Sequence, residues 1–136
     1  GYPAASHERQ LLRGRDRRDI LADLPSVLDA TAIPTLQRRV AEVHASDALL
    51  DYIQALARAS RDGSRHQAGL SPRAVISLLR AAQAWAFLHG HAGVLPEDLQ
   101  AVLPAVVGHR LRPRDPSDGR TPTEVAATLL KSVPIP

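Results

Sequence analysis

Cysteine and methionine are both absent from these 136 residues, and lysine occurs once, at Lys131. Without cysteine there can be no disulfide and no thiolate metal site. Aromatic residues are nearly missing as well: Tyr2, Tyr52, Trp85 and Phe87 make up 3% of the chain. A sheet core built on large cross-strand pairs is therefore not expected. Ala, Leu and Val must do the packing, which suits close-packed helices. No apolar run approaches the roughly 20 residues that a membrane span needs, and no signal-like N-terminus is present. A soluble, cytoplasmic protein without membrane partners is expected. The chain also lacks an initiating methionine and opens Gly1-Tyr2-Pro3, so it reads as a piece excised from a longer protein.

What is present fits one globular domain in length, with 44% apolar residues. The formal net charge is only +3 although sixteen of the seventeen basic residues are arginine. Arginine titrates late, so the sequence pI of 10.2 overstates the cationic character at neutral pH. Nucleic acid is permitted by this balance but not demanded.

Helix signals recur along the chain and strand signals do not; the expected fold class is all-α. Ser6 to Arg13 reads as a helix with Ser6 as N-cap and Gly14 as the C′ residue. Residues 14–34 mix charges with Pro25 and Pro34, which predicts a connector with one short helical turn. Leu36, Val40 and Val43 share a face of a short helix over Thr35 to Val43. A longer helix is expected from Ser46, as cap, to Arg61, ended by Asp62-Gly63-Ser64; Leu49, Leu50, Ile53, Leu56 and Ala57 form its apolar face. Ser71 as cap, Pro72 at N1 and Gly90 as terminator mark the clearest helix, Pro72 to His89. Its apolar residues surround it except for an edge of Arg73, Ser77, Arg80 and Gln83, so it is expected at the buried centre of a bundle. Another helix begins at Pro96, with Glu97 and Asp98 complementing its dipole and Pro104 predicting a kink or early end. Pro113 to Gly119 reads as a loop. Thr121-Pro122-Thr123-Glu124 is a capping box opening a last helix, and Val133-Pro134-Ile135-Pro136 cannot be helical.

The most informative stretch is Gly69-Leu70-Ser71-Pro72-Arg73-Ala74. A cation at the second position of a helix opposes the macrodipole at a cost of a few tenths of a kcal/mol. An incoming anion would give a reason for it, since first-turn N–H groups and a guanidinium together make a phosphate site. A solvated arginine pointing outward is the plain alternative.

Taken with its surroundings, the stretch from Gly69 to Leu111 resembles the C-terminal helical lid of MoxR-type AAA+ ATPases. In that family a G-x-S-P-R-A turn opens a long helix. A short turn then leads to a helix beginning near T-P-D/E-D-V, and that helix ends at H-R-L. Here these elements are Gly69 to Ala74, Pro96 to Leu99, and His109-Arg110-Leu111. Gly1-Tyr2-Pro3 is similar to the G-Y-P where the ATPase core gives way to the lid. His44 to Arg61 resembles the V-H-V-S-D-x-x-x-D-Y-I helix, and Gly119-Arg120-Thr121 with Val133 to Pro136 resembles the G-R-T…V-P-V/I-P ending.

The resemblance implies a boundary helix and connector over 1–34 and a helical lid over 35–136. It implies that Arg73 is the sensor-2 arginine, reaching the γ-phosphate of ATP, with Ser71, Tyr2 and Pro3 as further cofactor-binding candidates. A simple hinge is the competing account of Tyr2 and Pro3. Arg80, two turns along the same edge as Arg73, is assigned to surface or subunit contact. The implied cofactor is ATP with Mg²⁺ in the full-length parent, with none in this segment alone. The implied partners are the protein's own AAA+ core, neighbouring subunits of a homo-oligomeric ring, most simply a hexamer, and proteins bearing von Willebrand factor A domains. The implied role is chaperone-like remodelling or maturation of partner proteins. Two residues depart from the family pattern. Leu70 replaces a small residue and is expected to narrow the approach to Arg73. Leu95 stands where a capping threonine is common, at a cost of about 1 kcal/mol.

No G-x-x-x-x-G-K-S/T loop and no apolar strand ending in Asp-Glu occurs, so this segment alone is not expected to hydrolyse ATP. His89 and His91 offer two metal ligands without a third. His89 is better read as a partner for the terminal carbonyls of its helix, and no metal site is expected. His109 and Arg110 read as a pair at the bundle edge. The competing function is a helix-turn-helix over 72–107. Against it, the candidate recognition helix carries Glu97 and Asp98 and no basic residue. A protein-interaction bundle with no nucleotide role for Arg73 is a third reading.

Overall fold

The computed structural model describes residues 1–62, 68–111, 113–115, 117 and 119–136. The regular elements among the described residues are helices, with isolated bridge positions besides, of which His44 and Gly93 pair in parallel. The helices are α1 (Ala5–Arg13), α2 (Arg17–Ala22), α3 (Ala32–Glu42), α4 (Asp47–Arg61), α5 (Pro72–Leu88), α6 (Pro96–Val107) and α7 (Pro122–Lys131), with a 3₁₀ turn at Gly108–Arg110 after α6. None is long and apolar enough to cross a membrane. By compactness the chain divides into Gly1–Ile33 and Pro34–Pro136.

In the first unit nothing is buried. The cap falls two residues earlier than the serine signal predicts: Ala4 is the N-cap, without a side-chain bond, and Ser6 lies inside α1. Ala5, of the strongest helix-forming type, takes the first helical position ahead of Ser6. Gly14 follows Arg13 in extended conformation (φ −74°), so the helix stops without using a left-handed glycine. The connector holds the expected short turn, α2, capped by Asp16, whose carboxylate accepts the Arg18 amide at 2.8 Å.

Asp29 supplies the cap that moves α3 ahead of its predicted start at Thr35. Its Oδ1 accepts the Thr31 and Ala32 amides at 2.8 and 2.7 Å and the Thr31 hydroxyl at 2.7 Å. Pro34 therefore falls within the first turn, where a missing N–H removes no helical bond.

In the second unit α5 lies against α6, α6 against α7, and α4 touches both α5 and α7. Leu49, Tyr52, Ile53 and Leu56 of α4 meet Ala74, Leu78, Ala82 and Ala86 of α5 in one core with Leu99, Leu103, Val107, Val125 and Leu129. The alanine row on α5 lets the helices approach closely, as the scarcity of aromatics requires.

Two expectations for α5 need correction. It is not buried all round: Ile76 is 61% exposed, Leu88 77%, and Trp85 is also exposed. Conversely Gln83, assigned to the polar edge, is buried, with its Nε2 donating to the Val43 carbonyl at 2.8 Å and its Oε1 accepting from Arg80 at 3.1 Å. A buried amide is tolerable when both ends are bonded. The helix ends at Leu88, with His89 at the C-cap and Gly90 at φ +73°, the left-handed conformation that glycine takes at least cost.

Pro104 does not end α6, which continues to Val107 before tightening into the 3₁₀ turn. Ser46 and Ser71 cap α4 and α5 as expected, and Thr121 with Glu124 forms the predicted capping box of α7. Gly63 and Ser64, expected to end α4, lie outside the described residues, as do Arg112, Pro116 and Asp118 of the loop region.

The Thr31 hydroxyl first, and the two backbone amides with it, hold the Asp29 carboxyl below the ordinary aspartate range. Its cap is therefore complete above the ordinary aspartate pKa and is lost as pH falls through the lower, folded value. Acid titration followed by amide NMR should show Thr31 and Ala32 losing protection together at that lower pH, and Asp29→Ala should abolish the step.

Candidate functional site

The first turn of α5 is held from behind by the end of α4. Ser60 is 0% exposed; its hydroxyl donates to the Ala57 carbonyl at 2.7 Å and accepts the Leu70 amide at 3.0 Å. Arg61 donates through Nε to the Leu70 carbonyl, also at 3.0 Å. Both polar groups of Leu70 are thus bonded to α4, and its side chain fills the core. That corrects the expectation that Leu70 narrows the approach to Arg73: the larger side chain points inward. Gly69 makes the close approach possible, since a Cβ there would lie 2.6 Å from the Arg61 Cα.

Ser71 caps α5 by accepting the Ala74 amide at 3.3 Å, and Ala74 is buried against α4. One residue earlier round the helix, Arg73 is exposed, and among the described residues its guanidinium has no hydrogen bond or ion pair. The amide donors of the turn are mostly spent: Pro72 has none, Ala74 bonds Ser71 Oγ, and Val75 bonds the Ser71 carbonyl at 3.1 Å. The Arg73 amide is left, together with the Ser71 hydroxyl proton, which its acceptor role does not consume. Guanidinium, amide and hydroxyl at a capped N-terminus form a set suited to a phosphate oxygen.

Tyr2 and Pro3 lie in the exposed, non-helical stretch before α1, in the other compact unit. Arg80 is exposed and tied to Gln83.

At the far end of α5, His89 Nδ1 meets the Trp85 carbonyl at 2.8 Å, and its ring stacks on Trp85 at 4.6 Å. That is the predicted helix-end role. His91 instead contacts Asp98, with Nδ1 3.0 Å from each carboxylate oxygen. Asp98 is buried and accepts the Leu95 amide at 2.9 Å, the reciprocal half of a capping box, while Leu95 offers no side-chain acceptor for the other half. Sequence reading gave Asp98 only a dipole role; the signal for more was its position three residues after the cap. His109 and Arg110 form an exposed pair at 3.1 Å. The exposed positions along α6 are Glu97, Ala101 and Ala105, which offer no base-reading side chain.

Residues 58–129 match the family model of the AAA lid domain. Across its whole length the chain is 31% identical to the uncharacterized protein YeaC of Bacillus subtilis, of which it spans 43%. It is 28% identical over 120 residues to the chaperone MoxR1 of Mycobacterium tuberculosis, covering 82% of this chain and 31% of that protein. Protein MoxR of Paracoccus denitrificans is 41% identical over 81 residues, half of this chain and 24% of MoxR. A crystal structure of a candidate ATPase from Cytophaga hutchinsonii shares the fold at a TM-score of 0.77 and 24% identity, over 100% of this chain and 44% of that one. The chain thus spans less than half the length of these relatives.

Gly69→Ala tests the clamp. Forcing a methyl group onto the Arg61 backbone should cost about 1–3 kcal/mol by overpacking, read as a lower urea midpoint for the variant. An unchanged midpoint would mean that the turn is not held against α4.

Proposed function

The chain belongs to the AAA lid domain family, as the lid of a MoxR-type AAA+ ATPase, and on that premise we propose that it supplies Arg73 as the sensor-2 arginine to ATP bound by the core of the longer protein. The single observation that carries this reading is an exposed guanidinium, unpaired among the described residues, at the first turn of a helix whose start is bolted to its neighbour. The helix dipole opposes a cation there. A terminal phosphate would turn that small penalty into attraction.

ATP brings the bond to be broken and Mg²⁺ shields its phosphates; this chain contributes charge and position. Arg73 would bind the γ-phosphate, and its fixed mounting would keep it aimed as charge shifts towards the leaving oxygen. Ser71 can add its hydroxyl proton. Because Leu70 ties the turn to Ser60 and Arg61, a pull on Arg73 is transmitted to α4 as a rigid-body load rather than absorbed in a loose loop. Tyr2 and Pro3 we assign to the boundary with the ATPase core, beside the nucleotide base. On the same reading Gly1–Ile33 is the boundary helix and connector.

We further place the lid in a cytoplasmic homo-oligomeric ring, a hexamer, that remodels or matures partner proteins, among them proteins with von Willebrand factor A domains. The chaperone name carried by the Mycobacterium tuberculosis relative supports that direction.

In the full-length parent, Arg73→Ala should lower kcat for ATP hydrolysis on the order of 10²–10³-fold, the loss seen when one positioned charge stabiliser is removed. Steady-state hydrolysis at saturating ATP measures it. An unchanged kcat would leave a bundle whose work is protein contact.

A further inference from the structure

A second feature of the same two helices has no part in that reading. Between the C-terminal half of α4 and the start of α5 lies a groove of about 470 Å³, lined by Gln54, Ala57, Arg58, Arg61, Pro72, Val75 and Ile76. Its floor is apolar. Ile76 stands 61% exposed in the second turn of α5, an apolar side chain turned to solvent beside this groove. Arg58 and Arg61 belong to the same lining, and no carboxylate does. Arg58 makes no hydrogen bond or ion pair among the described residues, whereas Arg61 is engaged only through Nε, leaving its terminal nitrogens free for a ligand.

We propose that this groove docks an acidic, amphipathic segment of a partner protein, with an apolar side chain seated on Val75 and Ile76 and one or two carboxylates on Arg58 and Arg61. Charge complementarity selects the occupant. Guanidinium groups pair with carboxylates in a planar, two-pronged fashion, and a short helix or strand can present both an apolar anchor and flanking acids at the spacing of one groove. The groove's volume suits one or two side chains. A nucleic-acid backbone fits less well: Asp51 and Asp47 are exposed on α4 within the turns before Arg58 and would repel a continuous run of phosphates. A peptide can place its acids over the arginines and end, or turn basic, before it reaches those aspartates.

Arg58→Glu and Ile76→Asp are the informative substitutions, because both side chains are exposed and neither holds the α4–α5 clamp. The probe is a fluorescein-labelled peptide of alternating Leu-Leu and Glu-Glu pairs, read by fluorescence anisotropy against the full chain. A Leu-Leu/Lys-Lys peptide of the same length and Arg38→Glu serve as controls. The acidic peptide should bind and the basic one should not. Arg58→Glu should weaken binding about tenfold, Ile76→Asp should weaken it comparably, and Arg38→Glu should leave it unchanged. Raising the salt should weaken it further. Absence of binding to the acidic peptide, equal binding of both peptides, or equal loss with Arg38→Glu would each overturn the proposal. ATP hydrolysis by the parent enters none of these readouts, so the outcome is independent of the role given to Arg73.

Discussion

The first turn of α5 depends on how Leu70 is held. Its amide and carbonyl, two groups that an ordinary loop leaves to water, both bond to the last turn of α4, through a serine hydroxyl with no solvent exposure and an arginine Nε. Buried polar groups left unpaired cost about 1–3 kcal/mol each, so the three partners enforce one another's geometry. Gly69 allows the backbone to come that close. With the turn fixed, Ser71 sets the start of the helix, Ala74 and Leu78 enter the core, and the outward direction of Arg73 follows from the helical repeat.

Much of this fold is legible in the sequence because its cues are local. Ser46, Ser71 and Thr121 announce their helices, and the structure uses each hydroxyl as the cap. Pro72 and Gly90 bracket α5 as their backbone preferences require. The failures also have physical causes. Ser6 has the right chemistry for a cap but follows Ala5, which is already helical, so propensity overrides the capping signal. Pro34 looks like a boundary until Asp29, five residues earlier, caps the turn that contains it. Gln83 reads as surface because its partner is the Val43 carbonyl, forty residues away, which no local pattern reveals.

The site was legible only in part. The motif from Gly69 to Ala74 identifies the place, and the opposed dipole gives a reason to look there. The role of Ser60 and Arg61 is not readable in advance, since both look like ordinary residues of the last turn of an amphipathic helix. Leu70 shows the same limit from the other side: a larger side chain suggested an obstructed site, and the structure turns it into the core. Asp98 binds the Leu95 amide from the first turn of α6, so one half of the capping box is kept where Leu95 lacks the acceptor for the other.

A lid of this kind must be rigid where it meets a ligand and adaptable elsewhere. The α4–α5 clamp provides the first property, and the exposed faces of α5 leave room for the second. The measurement that tests this most directly is the ratio of ATP to ADP affinity in the full-length protein, with and without Arg73→Ala. If Arg73 reads the γ-phosphate, the variant should lose most of its preference for ATP while ADP affinity stays the same. A ratio unchanged by the substitution would contradict the account, because an arginine that does not distinguish the two nucleotides is not touching the phosphate by which they differ.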